Sequence, residues 1–123
     1  MTPEQKVTSR ELSEKLRDAG AKQESEWCHE VWLFPVGVNV PTAYLYRGRP
    51  KDVHNRDYFS AFDCSELLER LPHPVKIETL ESGGFKVENW WLDEVIVGRP
   101  LAEVLGKLEL WRLENGYDKE AKP

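Results

Sequence analysis

The sequence predicts an α+β fold: an antiparallel or mixed sheet of about four or five strands with three helices, the long C-terminal helix packed on the sheet. Three observations point there. Two early segments carry capping-box spacings, Thr8 to Glu11 and Asp63 to Glu66. Segments of period two, rich in tryptophan, tyrosine and valine, fall between and after them. Glu81-Ser82-Gly83-Gly84 joins two strand-like runs with glycines able to take the positive φ of a tight hairpin. The 123 residues suit a single domain over 1–123, with 117–123 as a polar tail.

The first helix is expected between Val7 and Gly20. Thr8 and Glu11 form its box, Val7 and Leu12 a hydrophobic staple, and Gly20 sits where a left-handed residue ends a helix. Leu12, Leu16 and Ala19 make one narrow stripe, so the helix is covered on one side only. From Ser25 to Pro35 the period becomes two. Trp27, His29, Val31 and Leu33 share one face; Cys28, Glu30, Trp32 and Phe34 share the other. After a connection carrying Gly37, Asn39 and Pro41, the segment Thr42 to Arg47 resumes as a strand with Tyr44 and Tyr46 on one face, which suggests an antiparallel pair.

Arg47 to Asp57 lacks periodicity and contains Gly48, Pro50 and Asn55, so it reads as a loop longer than the usual connection of about 4–6 residues. Asp63 then opens a short helix with Cys64, Leu67, Leu68 and Leu71 at helical spacing, ended by Pro72 and Pro74. Val75 to Leu80 and Phe85 to Leu92 are the hairpin strands; Asp93 to Val97 extends the sheet or bends away from it. Pro100 suits the first turn of the last helix, whose apolar positions are Leu101, Val104, Leu105, Leu108 and Trp111, with Asn115-Gly116 as its stop.

Composition excludes several chemistries. With 22 acidic and 17 basic residues the net charge is −5, which disfavours non-specific binding to phosphate backbones. Two cysteines do not make a disulfide framework, and the first residues lack the apolar run of a signal peptide, so a reducing, cytoplasmic setting is expected. No apolar run approaches the roughly 20 residues that span a bilayer, so no membrane association is expected. Two cysteines and three histidines show no paired metal-ligand spacing, and no metal or other cofactor is expected.

No catalytic residue is expected either. Cys64 stands at a helix start, which favours a thiolate, but shares its stripe with leucines, which favours a buried thiol. His29 shares an apolar face, where a hydrogen-bonded core histidine is the default; His54 and His73 lie in polar or proline-flanked segments without an evident partner. Gly98-Arg99-Pro100 precedes a helix and offers at most a small anion site. An enzyme would need a pocket grouping His54 or Cys64 with a carboxylate.

Two surfaces remain. The chain has five tryptophans, and Trp90 and Trp91 are adjacent on a strand, so they point to opposite faces and one needs cover outside the core. If Trp27, Val31 and Leu33 pack under helices, then Trp32, Phe34, one or both of Tyr44 and Tyr46, and Trp90 lie on the opposite face. Trp32, Tyr44, Tyr46 and Trp90 are the residues nominated to bind a protein partner or a second copy. If the sheet curls or helices cover both sides, every aromatic is core. The alternative is nucleic-acid binding by the basic loop 47–57 through Arg47, Arg49, Lys51 and Arg56, beside the aromatics.

The run Tyr58-Phe59-Ser60-Ala61-Phe62-Asp63-Cys64-Ser65-Glu66-Leu67-Leu68-Glu69-Arg70-Leu71-Pro72, the run Leu101 to Leu108, and Ser13 to Gly20 carry a resemblance over much of the chain. Together they resemble a group of small uncharacterised bacteriophage and prophage proteins, in which a Ser-Glu-Leu-Leu-x-x-Leu-Pro helix precedes a hairpin and a Leu-Ala-Glu-x-Leu helix. The resemblance implies a bacterial host cell and no particular activity. The sequence therefore predicts a non-enzymatic interaction protein.

Overall fold

The computed structural model describes residues 3–32, 43–51, 56–72, 74–89 and 92–116. After a single turn, α1 (Pro3–Lys6), the first full helix is α2 (Arg10–Asp18). Its cap is Ser9, whose Oγ accepts from the Leu12 N–H at 3.3 Å. This corrects the expected Thr8–Glu11 box. Thr8 is fully buried; its hydroxyl pairs with Ser13 Oγ at 2.7 Å and accepts from the Phe62 N–H at 3.1 Å, so a tertiary contact claims the side chain that local spacing assigned to the helix end. Leu12, Ser13 and Leu16 are the buried residues of α2, the narrow stripe expected, and Gly20 takes φ +102° beyond its end.

The first sheet contains β1 (Trp27–Trp32), β2 (Ala43–Arg47) and β3 (Arg56–Ala61), antiparallel in the order β2-β1-β3. The β1–β2 pair is the expected one. Strand β3 takes the place of what reads as loop up to Asp57 and an unassigned stretch after it. Tyr58, Phe59, Ser60 and Ala61 are all buried, so the strand shows no alternation of polar and apolar residues. Its outer edge is not bare: the Ser60 N–H donates to Gln23 Oε1 at 2.7 Å.

The box at α3 (Cys64–Arg70) is as the spacing predicts. The Glu66 N–H donates to Asp63 Oδ1 at 2.9 Å and the Asp63 N–H to Glu66 Oε1 at 3.0 Å. Glu66 Oε2 also accepts from the Glu26 N–H at 3.0 Å, tying the start of β1 to this helix.

The second sheet is β4 (Val75–Thr79), β5 (Phe85–Asn89) and β6 (Glu94–Gly98), antiparallel in that order. Its first turn closes by Leu80 N–H to Gly84 O at 2.8 Å and Gly83 N–H to Leu80 O at 2.9 Å, with Gly83 at φ +90°. The second turn is held by buried Asn89, which donates to Pro72 O at 2.5 Å and accepts from the Leu92 N–H at 2.9 Å. Here Asp93 to Val97 does extend the sheet, and Asp93 turns the chain at φ +50°.

Helix α4 (Leu101–Glu114), with Pro100 at its N-cap rather than inside its first turn, joins the two halves. It packs against α2, α3, β5 and β6. Leu12 and Leu16, Phe62, Leu67 and Leu71, Val87, and Val104, Leu105 and Leu108 meet in one core. At Gly106 the crossing with α2 leaves no room for a side chain: a Cβ would lie 2.7 Å from both Leu12 Cδ2 and Thr8 Cγ2.

The α+β class and the C-terminal helix on a sheet thus stand, but the expectation of one sheet of about four or five strands is corrected to two sheets of three. The physical reason lies in the connection between β3 and β4. Helix α3 carries the chain away from β3, and the Gln23 side chain occupies part of the edge that a fourth strand would use. No described helix is long and apolar enough to cross a membrane.

Candidate functional site

Register decides which aromatic side chains share a face. Antiparallel partners opposite one another project to the same side, and the pairings set three rows across β2-β1-β3. Trp27 with Arg47 and Ala61, His29 with Leu45 and Phe59, and Val31 with Ala43 and Asp57 make the face turned to α2. Tyr46 with Cys28 and Ser60, Tyr44 with Glu30 and Tyr58, and Trp32 with Arg56 make the other.

The α2 side is structural. The His29 ring donates through Nε2–H to Thr8 O at 2.8 Å, and burial holds its pKa below the ordinary histidine range. Arg17 reaches from α2 over the Phe59 ring at 4.9 Å and pairs with Asp57 at 2.5 Å. His29 is the hydrogen-bonded core histidine that the sequence suggests.

On the opposite face, Trp32, Tyr44 and Tyr46 are brought together as expected, with Tyr58 beside them. Tyr44 is exposed, Trp32 and Tyr46 are half-buried, and Tyr58 is buried. The fourth nominated residue, Trp90, lies outside the described residues, as do Leu33, Phe34, Trp91, His54 and His73. On the same face Cys28, Ser60 and Tyr58 are buried.

Glu30 organises the site, and the sequence reading passed over it. Its carboxylate accepts from Trp32 Nε1–H at 2.7 Å. Arg56 lies over the Trp32 ring at 4.2 Å and places Nη1 3.8 Å from Glu30 Oε1. The indole is therefore held at its edge by an anion and at its face by a cation, a preorganised anchor. The available signal is local: Glu30 precedes Trp32 by two residues, so a period of two puts them side by side on one face.

The row above is polar underneath. Cys28 is fully buried, and burial pushes its thiol pKa up. The Tyr46 phenol is raised by burial and by the adjoining Cys28. Among the described residues, neither Tyr46 Oη nor Ser60 Oγ, both buried atoms, has a hydrogen-bond partner.

The four basic residues of the loop do not form one patch. Arg47 projects to the α2 side of β2 and pairs with Glu26, while Arg56 belongs to β3 and engages Glu30 and Trp32. Lys51 sits 5.7 Å over the Tyr46 ring, and Arg49 is exposed.

Cys64 and Asp63 line an open cleft of about 440 Å³ with Lys6, Phe85 and Leu101. Burial, then the Asp63 charge, pushes the thiol pKa up, the wrong direction for a nucleophile, and the Asp63 carboxylate is engaged in the α3 cap. Among the described residues, no three His, Cys, Asp or Glu side chains cluster to hold a metal ion. Comparison with protein-family models, with curated proteins and with solved structures returned no match.

Proposed function

We propose that this chain is a small non-enzymatic interaction protein that binds a protein partner through the aromatic face of its first sheet. The observation that carries the reading is the fixed Trp32. Its indole is held between Glu30 and Arg56, one row from exposed Tyr44 and on the face with Tyr46. Rigid aromatic anchors with an adjacent arginine are the groups that dominate binding energy at protein interfaces. Trp90 belongs to the proposed partner-binding set on sequence grounds. In the same reading the protein works in the cytoplasm of a bacterial host, as a phage or prophage accessory factor, without cofactor.

The test is capture from a bacterial lysate on immobilised protein with a high-salt wash, run beside Trp32→Ala and Tyr44→Ala variants shown to be folded by circular dichroism. A stoichiometric protein held by the wild type and lost from both variants supports the reading. Equal retention by all three contradicts it.

Nucleic-acid binding is the second reading, supported by exposed Arg49 and by Lys51 over Tyr46. It predicts retained nucleic acid that elutes as salt rises, with affinity falling for Arg49→Ala and Lys51→Ala.

A further inference from the structure

The second sheet offers a different surface, and its two outer strands are built differently. On the face opposite buried Val87, β4 carries Lys76 and Glu78, paired at 2.8 Å, and central β5 carries Lys86 and Glu88, paired at 3.1 Å. Strand β6 carries Val95 and Val97 there, 51% and 58% exposed. Proteins blunt sheet edges with charge, proline or a covering element. Strand β4 follows that rule with two charged side chains; β6 has neither charge nor proline at its outward positions. Among the described residues, its backbone hydrogen bonds go to β5 alone.

The sequence around β6 is complementary to itself. A two-fold axis normal to the sheet at Ile96 sets each residue opposite the one equally far beyond Ile96 in a second copy. Val95 then meets Val97, Glu94 meets Gly98, and Asp93 meets Arg99. Four valines become neighbours on one face, and an acid–base pair closes each end. Asp93 and Arg99 are both exposed and make no ion pair among the described residues. Sliding the strands by two residues in either direction sets a valine against Asp93 or against Arg99 and breaks the pairing of charges. Only even shifts keep each face on its own side, so the register centred on Ile96 is the best one.

We propose that two copies of this chain associate through antiparallel pairing of β6 with β6 in that register, joining two three-stranded sheets into one. The proposal is independent of the aromatic face. A single strand pair is a small interface, so the dimer is expected to be reversible.

Sedimentation equilibrium from roughly 1 to 200 μM, the span of weak micromolar association, tests it. The expected result is a monomer–dimer equilibrium that Val97→Lys abolishes and that Arg99→Glu weakens at least tenfold by facing Asp93 with another acid. Adding Asp93→Lys to Arg99→Glu restores it. Because Asp93 sits at positive φ, each variant is melted to verify folding. One measurement needs no variant: hydrogen exchange at the β6 amides of the wild type slows as concentration rises. A wild type that stays monomeric throughout, or a dimer indifferent to Val97→Lys and Arg99→Glu, overturns the proposal. So does a dimer lost with Tyr44→Ala alone, which assigns self-association to the aromatic face.

Discussion

Glu30 and His29 are neighbours on β1 with opposite tasks, because period two sends one to each side of the sheet. Replacing Glu30 with alanine leaves the Trp32 N–H without its acceptor and Arg56 without its nearby anion. Loss of one charge-assisted hydrogen bond is worth about 1.5–3 kcal/mol where it is well formed. The Trp32 indole N–H resonance is expected to shift and broaden in Glu30→Ala, with partner affinity reduced; an unchanged resonance contradicts the anchoring role. His29 reports on pH. Burial depresses its folded pKa, so the neutral ring's contribution is complete above the unfolded value of about 6.5 and is lost as pH falls through the folded value. Urea unfolding is expected to show a larger loss of stability for wild type than for His29→Gln between about pH 7.5 and pH 5. Equal losses contradict it. Both cysteine thiols are held protonated by burial, so thiol labelling is expected to be slow in the native protein and fast once it unfolds. The residue missed at the site, Glu30, was hidden by its type: a lone acid among aromatics reads as a solvated position until the register shows what surrounds it.

At the scale of elements, local chemistry was legible where it stayed local. The Asp63–Glu66 box and the Leu80–Gly84 turn close within a few residues, and Glu66 keeps its box contact through Oε1 while its Oε2 takes the distant Glu26 N–H. Thr8 failed the same test because Ser13 and Phe62 take its hydroxyl, and β3 escaped notice because burial on both faces removes alternation. The division into two sheets rests on where α3 sends the chain and on Gln23 at the β3 edge, neither of which a period records. Helix α4 gives the sharpest prediction at this scale. Glycine to alanine in an open helix stabilises by about 0.8–1 kcal/mol. At Gly106 the added methyl meets Leu12 and Thr8 at 2.7 Å, and overpacking costs about 1–3 kcal/mol. Gly106→Ala is therefore expected to lower the melting temperature; an equal or higher one contradicts the close α2–α4 crossing.

Across the whole molecule, the two halves are asymmetric in what they cover. The first sheet turns its His29 and Phe59 side to α2, and on the side with Trp32 it leaves Tyr44 exposed while Cys28, Tyr58 and Ser60 are buried. The second sheet turns Val87 to the core and leaves the valines of β6 at its edge. The aromatic face and the β6 edge are separate surfaces, so under the two proposals substitutions at one are expected to leave the other intact. The most direct test compares lysate capture by wild type, Tyr44→Ala and Val97→Lys side by side after a high-salt wash. The account predicts one stoichiometric protein on wild type and Val97→Lys, and its loss from folded Tyr44→Ala. Retention unaffected by Tyr44→Ala, or no protein retained by the wild type, contradicts the aromatic face as the binding surface.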